Sequence, residues 1–214
     1  MKVNTWLPPD FSKRTMLEPS KNPKFVIGAI VTGIAVLLIS GWLLVLFTNL
    51  LRPTALDGLH LRNLIHSTST ATILDIPFAL FGDLLIALVT MLFIHELVHG
   101  LFYWLLSRKR PKFGIHGLFP YAAAPTGIYF PRNQFLTIGL APLVLLSAVG
   151  LLLIVMAPIR FVPFLLFFVA LNAAGAAGDM IMAIQLMSFS SDSMMADNAV
   201  GVTIYESPRN INAT

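Results

Sequence analysis

The chain has 214 residues, 57% of them hydrophobic and only 11% charged, with a formal net charge of +4. That balance excludes an ordinary soluble domain and indicates several membrane spans in one compact unit. The absence of cysteine excludes disulfides, iron–sulfur clusters, thiolate zinc sites and a cysteine nucleophile.

Residues 1–24 form a polar arm carrying Lys2, Lys13, Arg14, Lys21 and Lys24. The arm contains Pro8, Pro9, Pro19 and Pro23 and has no leading apolar core, so a cleavable signal peptide is not expected. The first span runs from Phe25 to about Leu51. Its Gly28, Gly33, Ser40 and Gly41 permit close helix approach, and Arg52-Pro53 ends it. Thr54 to Phe81 is the longest polar connection. Leu56, Leu59, Leu61, Leu64 and Ile65 predict a short amphipathic piece at the membrane interface. His60 and His66 fall in this connection, where lone histidines are usually solvated.

The second span covers Leu84 to Leu106 and is followed by Arg108, Lys109, Arg110 and Lys112. Phe113 to Phe130 is apolar but interrupted by Gly114, Gly117, Pro120, Pro125 and Gly127. It predicts two short extended segments, 113–119 and 127–130, in place of a spanning helix. Asn133 is the expected N-cap of a third span, Gln134 to Ala157. Residues 158–163 connect to a fourth span, Phe164 to about Met187, and residues 188–214 form a polar tail expected to be mobile. The fold expected is therefore an all-α membrane protein. A four-span domain, 25–187, is flanked by an arm, 1–24, and a tail, 188–214, with one hairpin-like stretch between spans two and three. The basic residues lie beside the apolar runs and act as topology signals, not as a nucleic-acid surface. They place both termini in the cytoplasm of a multi-pass cell-membrane protein.

The second span contains His95-Glu96-Leu97-Val98-His99, an H-E-x-x-H pattern. One helical turn takes ~3.6 residues, so His95 and His99 share a face and can bind one zinc ion, with Glu96 beside it as general base. Ionisable groups at bilayer depth cost roughly 2.5–3.5 kcal/mol each on insertion scales and mark function by default. Satisfied core histidines would leave Glu96 without a partner in an apolar setting. A bis-His haem would need ligands facing each other from two sides, which one helix face cannot supply.

A third ligand is required. Asp179 is the one other carboxylate expected inside a span. His99 lies about seven residues, ~10 Å, from the cytoplasmic end of its helix, and Asp179 about eight, ~12 Å, from the end of its own, at 1.5 Å per residue. The two therefore sit at one level, and His95, His99 and Asp179 make a His₂-carboxylate site with an open fourth position. Gly175, Gly178 and the alanines around them give the fourth span a smooth face for close approach. The competing roles for Asp179 are an ion pair with Arg132 or a proton path. Asn172 shares a helix face with Asp179 but lies ~10 Å away along an ideal helix. It can stabilise a substrate oxyanion only if the helix loosens at Gly175 or Gly178; an interhelical hydrogen bond is the alternative.

His95-Glu96-Leu97-Val98-His99, the 113–130 stretch, Pro131-Arg132-Asn133 and Asn172 with Gly178-Asp179 resemble a family of zincin peptidases of the prokaryotic membrane. More distantly they resemble site-2 proteases, the intramembrane zinc metalloproteases. The resemblance runs from about residue 84 to 187. It implies a zinc ion on His95, His99 and Asp179, with Glu96 as general base. The chain departs from the site-2 pattern in having Gly and Ala, not prolines, between Asn172 and Asp179, and Met180 after the aspartate.

The function expected is a zinc-dependent endopeptidase. It would cut a membrane-embedded or juxtamembrane segment of a membrane protein or peptide, with the 113–130 stretch able to pair with it as an added strand. The alternatives are a non-catalytic metal-binding protein that engages a membrane partner, and an ion or proton transporter using Glu96 and Asp179. No internal repeat supports the transporter.

Overall fold

In the computed structural model the described residues are 3–59, 65–67, 72–74, 78–116, 119–198 and 201–207. Most of the described residues are helical, and four of the helices are long and apolar enough to cross a membrane. Helix α1, Pro23–Leu51, opens with Pro23 at its first position, and the Asn22 side chain accepts from the amides of Lys24 and Phe25. Those two features satisfy the donors that a helix start leaves free. At the other end, the Arg52 guanidinium donates to the carbonyls of Ile154 and Ala157 at the end of α3, Arg132–Met156. A cation placed there answers the free carbonyls and the negative end of the helix dipole. Helix α2 spans Phe78–Ser107.

The fourth span is not one continuous helix. It divides at Ala176 into α4, Val162–Gly175, and α5, Ala177–Met187. Gly175, at the break, packs against the side chain of Met91 on α2, while an added Cβ at Gly33 of α1 would lie 3.2 Å from the Ala174 carbonyl. The small residues in spans one and four thus bring three helices close together at the break. Of the four spans, the α4–α5 segment is the most enclosed and α1 the least.

Strands correct the all-α expectation. β1, Ser12–Leu17, pairs antiparallel with β8, Val202–Glu206, which pairs with β7, Met194–Asp197, which pairs with β6, Phe130–Pro131. The arm and the tail, expected as a polar extension and a mobile end, are thus joined in one sheet, and their pairing holds both on the same side of the helices. The sheet is sewn by Glu206, which is buried. It accepts from Ser193 Oγ at 2.7 Å and from the Ser190 amide, and faces the Arg14 guanidinium at 3.4 Å.

The hairpin expected between spans two and three is present. It is formed by β4, Lys112–His116, and β5, Phe119–Ala123, paired so that Gly114 faces Tyr121 and Phe113 faces Ala122. Its second strand is not the expected 127–130 but Phe119–Ala123, because the chain turns back before Pro120; Phe130 pairs instead with β7. The Phe113 ring lies over Gly100 of α2, where any side chain would collide with it. A glycine after His99 therefore lets the hairpin lie against the helix that carries His95 and His99. A second small hairpin, β2, Ile65–Ser67, with β3, Thr72–Leu74, occupies part of the first connection. A 3-10 helix, Pro53–Leu59, covers the start of the expected interfacial piece. His60 lies outside the described residues, as do the side chains of His66 and His116. Helix α3 begins at Arg132, and Asn133 does not cap it: its side-chain oxygen accepts from the Arg132 guanidinium instead.

Candidate metal centre

His95 and His99 stand one turn apart on α2, and both side chains are buried. Asp179, in the first turn of α5, meets them. Its Oδ2 lies 3.1 Å from His95 Nε2 and 3.7 Å from His99 Nε2, and the two Nε2 atoms are 3.2 Å apart. The break at Ala176 sets this up, because α5 starts afresh there and carries Asp179 as its third residue.

The outer nitrogens fix the tautomers. A carbonyl can only accept, so the contact of 3.0 Å between His99 Nδ1 and the Ile138 carbonyl makes Nδ1 the donor. Asn172 Nδ2 donates to the Pro142 carbonyl at 3.2 Å, which turns Oδ1 toward His95 Nδ1, 3.1 Å away, and makes that nitrogen a donor too. In the neutral imidazoles both Nε2 atoms are then acceptors, and they point, with a carboxylate oxygen, at a single spot. Three acceptors converging in this way suit a bound cation. Atoms separated by 3.1, 3.2 and 3.7 Å lie on a circle of radius ~1.9 Å, a spacing that would suit the ~2.0–2.2 Å ligand distances usual for zinc. The donor set and its size therefore fit the metal that the motif implies. Each histidine also donates its outer N–H to a protein oxygen, as metal-bound histidines almost always do.

Asn172 is fully buried, and both ends of its amide are occupied, with Ser147 Oγ a further partner of Nδ2. It faces His95, not the open cavity, so of its two expected roles the interhelical hydrogen bond describes its position and the substrate contact does not. Arg132, the competing partner for Asp179, donates instead to the carbonyl of Phe189 beyond α5.

A cavity of about 480 Å³ opens beside His99 and Asp179, with Glu96, Tyr103, Tyr121 and Asp197 also among its lining residues. The Glu96 carboxylate enters it with Oε2 held by the Ala122 amide of β5 at 2.7 Å. Just past the end of that strand, the Ala124 amide donates to Asp197 Oδ2 at 2.9 Å, and the Tyr103 hydroxyl donates to the same oxygen at 2.9 Å. Asp197 of β7 thus ties the sheet to α2 and to the strand that holds Glu96. Tyr103 had a signal in the sequence, since positions 95, 99 and 103 share one helix face. Asp197 had none: it is one of three acids in the tail, brought to the cavity by strand pairing.

A family model described as "Putative zincin peptidase" matches residues 87–194, half of the chain. The chain belongs to that family. No curated protein and no solved structure matches it. The matched segment holds His95, Glu96, His99, Asn172 and Asp179 together with the hairpin, whereas β1, β8 and Asp197 lie outside it.

Proposed function

We propose that this protein is a zinc-dependent endopeptidase of the cell membrane, with both termini in the cytoplasm, that hydrolyses a peptide bond in a membrane-embedded or juxtamembrane segment. The observation that carries the reading is the convergence of three acceptor atoms, His95 Nε2, His99 Nε2 and Asp179 Oδ2, beside a cavity that also holds the Glu96 carboxylate. Zinc, when bound by these residues, supplies Lewis acidity that polarises a peptide carbonyl and makes a water molecule more acidic.

The chain's own part follows from its geometry. The Ala122 N–H occupies Glu96 Oε2 and leaves Oε1 to take a proton from the attacking water as the water oxygen bonds to the carbonyl carbon. Oε1 then delivers that proton to the amide nitrogen as the carbon–nitrogen bond breaks. A substrate segment has to be extended to expose its backbone here, and the outer edge of β5 is the surface offered to it. Pro120 has no N–H, and the amides of Ala122 and Ala124 are taken by Glu96 and Asp197, so that edge presents carbonyl acceptors to a substrate's N–H groups. Backbone of this kind at membrane depth is permitted because it borders protein and a cavity. Four long apolar helices and the arm–tail sheet on one side support the topology, and the basic residues of the arm and of the second span's end support a cytoplasmic location for that side.

The test is cleavage by purified protein in lipid vesicles carrying a set of single-span peptides, with new termini read by mass spectrometry. Zinc-dependent products are expected from wild type and a loss of about 10²–10⁴-fold in rate from Glu96→Gln. Equal cleavage by both forms would rule out Glu96 as the base. Tight zinc binding with no cleavage across the set would favour the non-catalytic metal-binding alternative.

A further inference from the structure

Pro142 lies inside α3 and is fully buried. A proline in a helix interior lacks the N–H that would bond the carbonyl four residues earlier, and its presence weakens the helix. Four residues before Pro142 is Ile138, and the Ile138 carbonyl is the group that accepts from His99 Nδ1 at 3.0 Å. The missing helical bond and the histidine contact therefore concern the same oxygen. Pro142 has a second connection to the site. Its own carbonyl accepts from Asn172 Nδ2 at 3.2 Å, and Asn172 Oδ1 holds His95 Nδ1 at 3.1 Å. Both histidines are thus oriented from this one place in α3, one by an oxygen the proline sets free and the other through an oxygen the proline carries.

We infer that Pro142 is a positioning residue for the metal centre: by withholding one N–H it leaves the Ile138 carbonyl to His99, while the backbone carbonyl that any residue at 142 would carry accepts from the asparagine behind His95. An ordinary residue at 142 would supply an N–H that draws the Ile138 carbonyl along the helix axis and away from the ring. His99 would then be free to turn or to move its proton to Nε2, and an Nε2 that carries a proton cannot bind metal. The helix would gain a hydrogen bond while the site lost one, so stability and metal affinity should move in opposite directions.

This inference rests on the zinc reading above and deepens it. Its test uses the full chain in detergent, with zinc affinity measured by competition with a chelating dye and the melting temperature of the zinc-free protein by circular dichroism. Pro142→Ala should bind zinc about 10–100-fold more weakly, while its zinc-free form melts at or above the wild-type temperature. Replacing residue 142 with lactic acid, the ester counterpart of alanine, again removes the N–H and should restore most of the affinity. An alanine variant that binds zinc as tightly as wild type overturns the inference. So does an ester variant no better than alanine, because the proline would then act through its shape. Should the alanine variant fail to fold, the ester variant decides alone: wild-type affinity supports the inference and weak binding contradicts it. Failure of wild type itself to bind zinc would remove the zinc reading, whereas equal affinities would remove only the role of Pro142.

Discussion

Asn172 and Asp179 lie seven residues apart, yet both address His95, one at each ring nitrogen. On an ideal helix that spacing is a rise of ~10 Å, too far for two side chains to serve one point. The imidazole ring resolves the difficulty by standing between them, with the helix break at Ala176 adjusting the fit. Asn172→Ala should therefore lower zinc affinity by about 10–100-fold and leave Glu96 in place. A chelator titration that finds wild-type affinity would show His95 to be held by other means. Asp197→Asn should retain zinc and lower turnover, because Asp197 is linked to Glu96 through the Ala122–Ala124 backbone; zinc loss in that variant would place its effect on the metal instead. At this scale the two histidines, Glu96 and Asp179 were legible, because a helical repeat and a depth argument each depend on one element alone. The hydrogen bonds behind them were not, because Ile138, Pro142 and Asp197 come to the site from other elements and carry no spacing that connects them with it.

Among the elements, the four spans followed from long apolar runs bounded by charge and proline, which hardly depend on tertiary context. The sheet did not. Val202-Thr203-Ile204-Tyr205 is rich in β-branched and aromatic residues, but its partners are as far away as Ser12–Leu17, and pairing at that separation leaves no local signature. Gly201 is where the two ends meet: an added Cβ would strike the backbone carbonyl of Leu17. Gly201→Ala should destabilise the sheet by about 1–3 kcal/mol, the usual cost of overpacking. Limited trypsin digestion would show it as faster cleavage after Lys13 and Arg14 in β1; an unchanged cleavage rate would mean that the strands separate easily already.

For the whole molecule, the pairing of arm and tail fits an even number of crossings by the four long apolar helices, and the family match covers residues 87–194, from within α2 through α5. The absence of cysteine makes this simple to test with single introduced thiols. Cysteines replacing Ser12 and Lys109 should label from the cytoplasmic side, and one replacing Ile159, in the connection between spans three and four, from the opposite side. Labelling of all three from one side would break the four-span arrangement. The centre itself is tested most directly by zinc content after dialysis against a weak chelator, measured on wild type, Glu96→Gln and Asp179→Asn. Glu96 is not a ligand, so wild type and Glu96→Gln should each keep one zinc ion per chain, while Asp179→Asn, with the charge removed and the shape kept, should lose it. Full zinc retention by Asp179→Asn, or no zinc in wild type, would contradict the metal centre described here.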